Sequence, residues 1–230
     1  TESQLTVITQ LVSGWTLRDE GEGEFEYKIR FPAMTAVSNE WIAAFEVDAN
    51  VSTHIEKMQL NNGNMSVKGM SLKGSAHNCW VFCVSMSDRA AGNVSKAHVN
   101  KWKIPEDKIQ EFGNFLAMLL WNSISFGDLP HHLVEKYSLQ EISAGLGLEA
   151  EMKPVTYTGR EIHIGSEKDF PVEKIRDLKA NIAFIKPMNF SEEQEFRFAF
   201  WLTFRKQKVS INDNPKILQL RPIDQFVQKN

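Results

Sequence analysis

The chain has 230 residues, long enough for one large domain or two small ones. Apolar residues make up 42% and charged ones 24%, an ordinary globular balance that excludes a disordered or fibrous chain. The formal net charge of −3 argues against a general polyanion binder, while leaving a local basic face open.

The opening Thr1-Glu2-Ser3-Gln4 lacks the basic and apolar regions of a signal peptide, and no apolar run reaches the length of a membrane span. A cytoplasmic protein without a membrane role is therefore expected. Phe25-Glu26-Tyr27-Lys28-Ile29-Arg30-Phe31 alternates cleanly and predicts a strand, with Pro32 as its expected end. Residues 39–47 fit a strand or a short helix. Residues 55–60 and 65–72 flank Asn61-Asn62-Gly63-Asn64, a hairpin signal. The apolar run from Cys79 to Ser87 predicts a central strand buried on both faces. On such a strand Cys79 and Cys83 share a face about 13 Å apart, too far for a disulfide. Both read as small core residues in a reducing compartment.

The middle of the chain turns helical. Pro105-Glu106-Asp107 places a proline and two acids where a helix dipole favours them. Ile109, Phe112, Leu116, Leu119 and Leu120 then recur at helical spacing. Ser138-Leu139-Gln140-Glu141 has the form of a capping box, and Gly145 is the expected stop. Beyond it, strands are expected at 155–158, 182–185, 196–204 and 216–220, with helices at 172–179 and 222–228. No linker divides the chain. The expectation is one α+β domain over residues 1–230, with mainly antiparallel sheets and a helical insert over about 104–147.

Most chemical motifs are absent: there is no Walker loop, dinucleotide fingerprint, zinc-type pairing or Gly-x-Ser-x-Gly elbow, and no metal is expected. Lys96, Lys101 and Lys103 around Trp102 read as a polar connector. The unusual stretch is Glu192-Glu193-Gln194-Glu195, three acids set against the aromatic run Phe196 to Phe204. Strand alternation would put Glu193 and Glu195 on one face, with Arg197 beyond them. Two acids at the mouth of a buried strand suit a catalytic pair. A Glu–Arg ladder bracing a strand end suits the same residues.

Arg30 on one strand, Ser85-Met86-Ser87 ending another and Glu193-Gln194-Glu195 opening a third resemble, in that order, the Arg-Ser-Glu class of ADP-ribosyltransferases. Met86 stands where that class often has Thr, and Arg18 is an alternative to Arg30. The resemblance implies NAD as substrate and a protein or nucleic acid as macromolecular acceptor. It implies that Arg30 clamps a pyrophosphate, that Ser85 and Ser87 bind the ribose or orient the key carboxylate, and that Glu195 is the essential acid with Glu193 assisting. A second resemblance covers residues 184–197. Lys186, Phe190, Glu193, Glu195 and Arg197 look like the Lys-x(n)-Phe-x-x-Glu-x-Glu-x-Arg signature of uncharacterised bacterial proteins associated with phage defence and toxins. That resemblance implies a role in bacterial or phage conflict, catalytic or purely as a binding protein.

Overall fold

The computed structural model describes residues 7–13, 24–45, 51–61, 64–75, 77–87, 89–90, 102–212, 216–220, 223 and 225–229. In chain order the strands begin with β1 (Val7–Ser13), β2 (Glu24–Val37), β3 (Val51–Ile55), β4 (Met58–Asn61), β5 (Asn64–Ser75), β6 (Trp80–Ser85) and β7 (Trp102–Lys103). They continue with β8 (Leu146–Pro154), β9 (Thr156–Thr158), β10 (Glu161–His163), β11 (Ile185–Pro187), β12 (Glu195–Phe204), β13 (Gln207–Val209), β14 (Lys216–Leu220) and β15 (Gln228–Lys229). The helices are α1 (Asn39–Ala43), α2 (Ile109–Ser123), α3 (His131–Lys136), α4 (Leu139–Gly145) and α5 (Val172–Ala180). The fold is α+β with mainly antiparallel sheets, and its helical block falls in the middle of the chain.

The chain forms two compact units, one from residues 1–18, 77–155 and 191–230, the other from residues 19–76 and 156–190. In the first, an antiparallel sheet runs β13-β12-β6-β1-β14, with β8 paired along the other edge of β12. Strand β12 is its spine. Phe198, Phe200 and Leu202 project into a core shared with Trp80 and with Phe112, Leu116 and Leu120 of α2, all essentially without solvent contact. The helical stripe read from the sequence is thus the face that α2 lays on the sheet. Gly113 allows the close approach: a Cβ there would collide with the end of the Met152 side chain and stand 3.1 Å from Phe198 Cδ1. The capping box opens α4 as expected, with the Ser138 amide donating to Glu141 Oε2 at 3.0 Å.

In the second unit the sheet runs β10-β2-β5-β3, with β4 beside β5. Tyr27, Ile29 and Phe31 of β2 point into a core with Trp41, Val67 and Met70, and Ile175 of α5 joins it. Trp41 meets Phe31 and Phe45 edge-on, and its indole N–H donates to the Phe170 carbonyl at 2.7 Å.

Several expectations need correction. Pro32 does not end its strand: β2 continues to Val37 through a register shift between Arg30 and Thr35, and such irregularities are where strands tolerate proline. The run expected at 55–60 is two strands, broken at Glu56 and Lys57. Residues 39–43 take the helical option, capped by Ser38. Residues 182–184 form a 3-10 turn, and the strand starts at Ile185. The expected helix at 222–228 is replaced by a turn and strand β15 among its described residues. Cys79 is buried as expected, but Cys83 is exposed. The connector around Lys96 and Lys101 lies outside the described residues, as does Arg18.

The β12–β13 hairpin offers a direct stability test. Its two loop residues, Arg205 and Lys206, have φ of 52° and 69°, between the paired Phe204 and Gln207. Two-residue hairpins favour Asn and Gly at these left-handed positions. Arg205 contributes by stacking on Tyr137 and Phe204 at 4.8 and 5.1 Å, whereas Lys206 is simply exposed. Lys206→Gly is expected to stabilise the protein by ~0.5–1 kcal/mol. A thermal melt no higher than that of the wild type would show that the turn carries no strain.

Candidate functional site at the mouth of strand β12

The acidic stretch does not enter the strand by simple alternation. Residues Met188–Glu193 form a 3-10 turn, and the strand begins only at Glu195. Between them Gln194 has φ of 44°, left-handed for a residue with a side chain, at a cost of ~1–3 kcal/mol. Glu193 and Glu195 therefore do not share a face by strand geometry, which corrects the expected acid pair. Glu193 closes the turn, half-buried, while Glu195 is the first strand residue and only 6% exposed. Backbone bonds hold the junction on both sides. The Met86 amide donates to the Gln194 carbonyl, and the Val155 amide to the Glu195 carbonyl, each at 2.8 Å.

Register then defines a polar face. Residues directly opposed across an antiparallel pair point the same way. On β6, Ser85 opposes Glu195 and Cys83 opposes Arg197. On β8, Lys153 opposes Arg197, Glu151 opposes Ala199 and Glu149 opposes Trp201. Strand β12 thus sends its Phe and Leu side chains to the core and presents Glu195, Arg197 and Trp201 on the reverse. Arg197, 4% exposed, donates from Nε to Glu195 Oε1 at 2.5 Å and from Nη2 to Glu195 Oε2 at 3.4 Å. The ladder read from the sequence is real, but it joins Arg197 to Glu195 and is buried rather than exposed.

Further along the same face, Lys208 of β13 lies 3.8 Å above the Trp201 ring and bridges Glu149 at 3.0 Å and Glu151 at 3.1 Å. Lys153 reaches Glu151 at 2.6 Å. Burial acts to raise the pKa of Glu151, but the bonds from Lys153 and Lys208 prevail and hold it below the usual carboxylate value. Sequence reading missed this group. Its signal was present in Gly147-Leu148-Glu149-Ala150-Glu151-Met152-Lys153, a strict alternation.

The other predicted residues are distributed as follows. Ser85, half-buried, is the cross-strand neighbour of Glu195. The Ser87 hydroxyl donates to the Gln194 side-chain carbonyl at 2.8 Å and accepts from the Ala90 amide at 3.2 Å. Arg30 belongs to the other unit. There its guanidinium ion-pairs with Glu56 and donates from Nε to Glu161 at 3.3 Å, with His163 3.5 Å from the same Glu161. Gly69 leaves room for the first pair, since a Cβ there would stand 3.0 Å from Glu56 Oε2. A phosphate approaching Arg30 would meet the negative charge of both carboxylates. Lys186, also in that unit, is buried on β11, with its ammonium 5.2 Å from the centre of the Phe190 ring.

Comparison with protein families, curated proteins and solved structures finds no match for this chain. The site therefore has to be read from its own chemistry. Among the described residues no group of three His, Cys, Asp or Glu side chains is placed to hold a metal. No helix among them is long and apolar enough to cross a membrane. Of the charged residues described as buried, Asp128, Lys186, Glu195 and Arg197, three belong to the Lys–Glu–Arg signature at residues 186–197. A charge is buried at substantial cost unless it is paired, so this concentration marks the segment as specialised.

Proposed function

We propose that the chain is an NAD-cleaving protein of a bacterial or phage conflict system, acting in the cytoplasm as an ADP-ribosyltransferase or, with water as acceptor, as an NAD glycohydrolase. One observation carries this reading: Ser85 sits directly across from Glu195 on the neighbouring strand. That adjacency is what the resemblance to the Arg-Ser-Glu class implies for a serine orienting the key carboxylate.

In this reading the bond between ribose C1′ and the nicotinamide nitrogen breaks, and its electron pair leaves with nicotinamide, which becomes neutral. The Glu195 carboxylate stabilises the oxocarbenium-like sugar left behind. An acceptor O–H, from water or a macromolecule, forms the new C–O bond at C1′. Its proton passes to Glu193, which ends the turn one residue before Gln194.

A second reading is favoured by a different observation. Glu195 is buried and doubly bonded by Arg197. A carboxylate committed in this way suits a non-catalytic binding protein in which the acidic mouth braces the strand.

Labelled NAD, incubated with the protein and with candidate protein, DNA and RNA acceptors, separates the two. Glu195→Gln is expected to lower NAD cleavage by about 100-fold. Ser85→Ala, which leaves every charge in place, is expected to lower it about tenfold. Melting curves for both variants identify any loss due to unfolding. A wild-type protein that neither cleaves NAD nor melts higher in its presence sinks the transferase reading and leaves the binding protein.

A further inference from the structure

The left-handed residue at the strand mouth is not an isolated irregularity. Gln194 is exposed, yet three of its groups are engaged. Its amide donates to the Ser191 carbonyl at 3.4 Å, and its carbonyl accepts from the Met86 amide at 2.8 Å. Its side-chain carbonyl accepts from the Ser87 hydroxyl at 2.8 Å. The first two bonds are backbone bonds that most residue types would make. The third depends on having Gln at one position and a hydroxyl at the other. Ser87 is itself fixed, because its oxygen accepts from the Ala90 amide. The next residue after Gln194 is the buried Glu195.

We infer that the Ser87–Gln194 contact is a latch that holds the strained turn closed and so sets the accessibility of the Glu195 carboxylate. Latched, the turn delivers Glu195 into the first strand position, where Arg197 engages both of its oxygens. Released, Gln194 is free to leave the left-handed region, and the following residue loses its fixed entry into the strand. Ser87 then acts on Glu195 through Gln194, as a positioning residue and not as a ligand contact. The strain makes the closed turn sensitive to the latch: losing the Ser87 bond shifts the balance toward the open turn, while the two backbone bonds still support the closed one. This inference stands on the geometry of the turn and is independent of whether NAD is the substrate.

Carboxylate labelling tests it without any enzymatic assay. A carbodiimide with excess glycine ethyl ester converts an accessible carboxylate to an amide, the carbodiimide being hydrated to its urea. The rate at Glu195 is read by mass spectrometry, with the exposed Glu111 as internal reference. Wild-type Glu195 is expected to label slowly. Ser87→Ala is expected to speed labelling at Glu195 about fivefold, the change in open population that one lost hydrogen bond produces, and to leave Glu111 unchanged. Ser87→Thr, which keeps the hydroxyl, should restore the slow rate. In a Gln194→Gly background, adding Ser87→Ala should change nothing, because the latch has already lost its acceptor.

Ser138→Ala is the control, since it weakens the capping box of α4 in the same unit at a distant place in the sequence. It should leave Glu195 labelling at the wild-type rate. Equal Glu195 labelling in wild type and Ser87→Ala, or equal acceleration by Ser138→Ala, overturns the latch. A protein inert towards NAD in which labelling follows the expected pattern overturns the transferase reading alone.

Discussion

Replacing Arg197 by Met is expected to cost about 3–5 kcal/mol of stability, a large share of what holds an ordinary domain together. The reason is an asymmetry between making and breaking a buried pair. Attraction between Glu195 and Arg197 largely offsets the loss of water that each charge suffers on burial. Removing one partner leaves the other desolvated charge without its counterion. Arg197 is 4% exposed and Glu195 6%, so solvent screens little of this effect. Arg197→Lys keeps the charge but loses the forked geometry that reaches both carboxylate oxygens, and should fall between wild type and Met. Combining Arg197→Met with Glu195→Gln should cost clearly less than the two single changes added together, because no lone charge remains. Urea unfolding of the wild type and the four variants provides the measurement. Additive losses would mean that the two side chains do not act as a pair.

The second large effect concerns Asp128, which has no solvent exposure. Its carboxylate accepts from the Ser125 amide at 2.6 Å and the Ser125 hydroxyl at 2.9 Å, and pairs with Lys216 at 2.6 Å. Lys216 also donates to the Ser123 carbonyl at 2.9 Å, at the end of α2 where a cation complements the helix dipole. One buried acid thus ties the helix end to strand β14. Burial by itself would raise the Asp128 pKa. The bonds from Lys216 and Ser125 outweigh it, so the folded-state value lies below the ordinary one. The unfolded chain therefore takes up the proton first as pH falls. The contribution is complete above roughly pH 4–5 and is lost as pH drops through the depressed folded value. Asp128→Asn removes the charge and strands Lys216, at an expected cost of ~3 kcal/mol at neutral pH. The gap between variant and wild type should narrow below about pH 4, in parallel urea titrations. A gap independent of pH would show that the loss comes from packing and not from the charge.

The sequence revealed the strands and helices whose side chains alternate or recur against a core. The Phe face of β12 and the stripe of α2 are simple consequences of burial, and they meet each other in the structure. The acid pair was misread because nothing in the residue type announces a left-handed conformation at Gln194, where Gly or Asn would have done so. That single backbone state separates Glu193 from the strand face, while Arg197 keeps the place beside Glu195 that alternation predicts. Strand β8 was overlooked for the opposite reason. Its alternation is regular, but it starts at the residue after a helix-stopping glycine, where a loop is the natural expectation. Pro32 misled because a proline reads as a terminator until a shift of register provides a place for it.

The order of segments has a consequence for how the protein is made. Segments of the two units interleave, with the chain passing between them after residues 18, 76, 155 and 190. Strand β12 lies between β6 and β8 in space but follows both of them along the chain. During synthesis, β6 and β8 therefore wait without the strand that joins them until Glu195 to Phe204 have emerged. Their edges facing β12 stay unpaired during that interval, in which pairing with other chains competes with folding. A chain ending before Glu195 keeps most of the residues of its larger sheet but lacks the strand that would unite them.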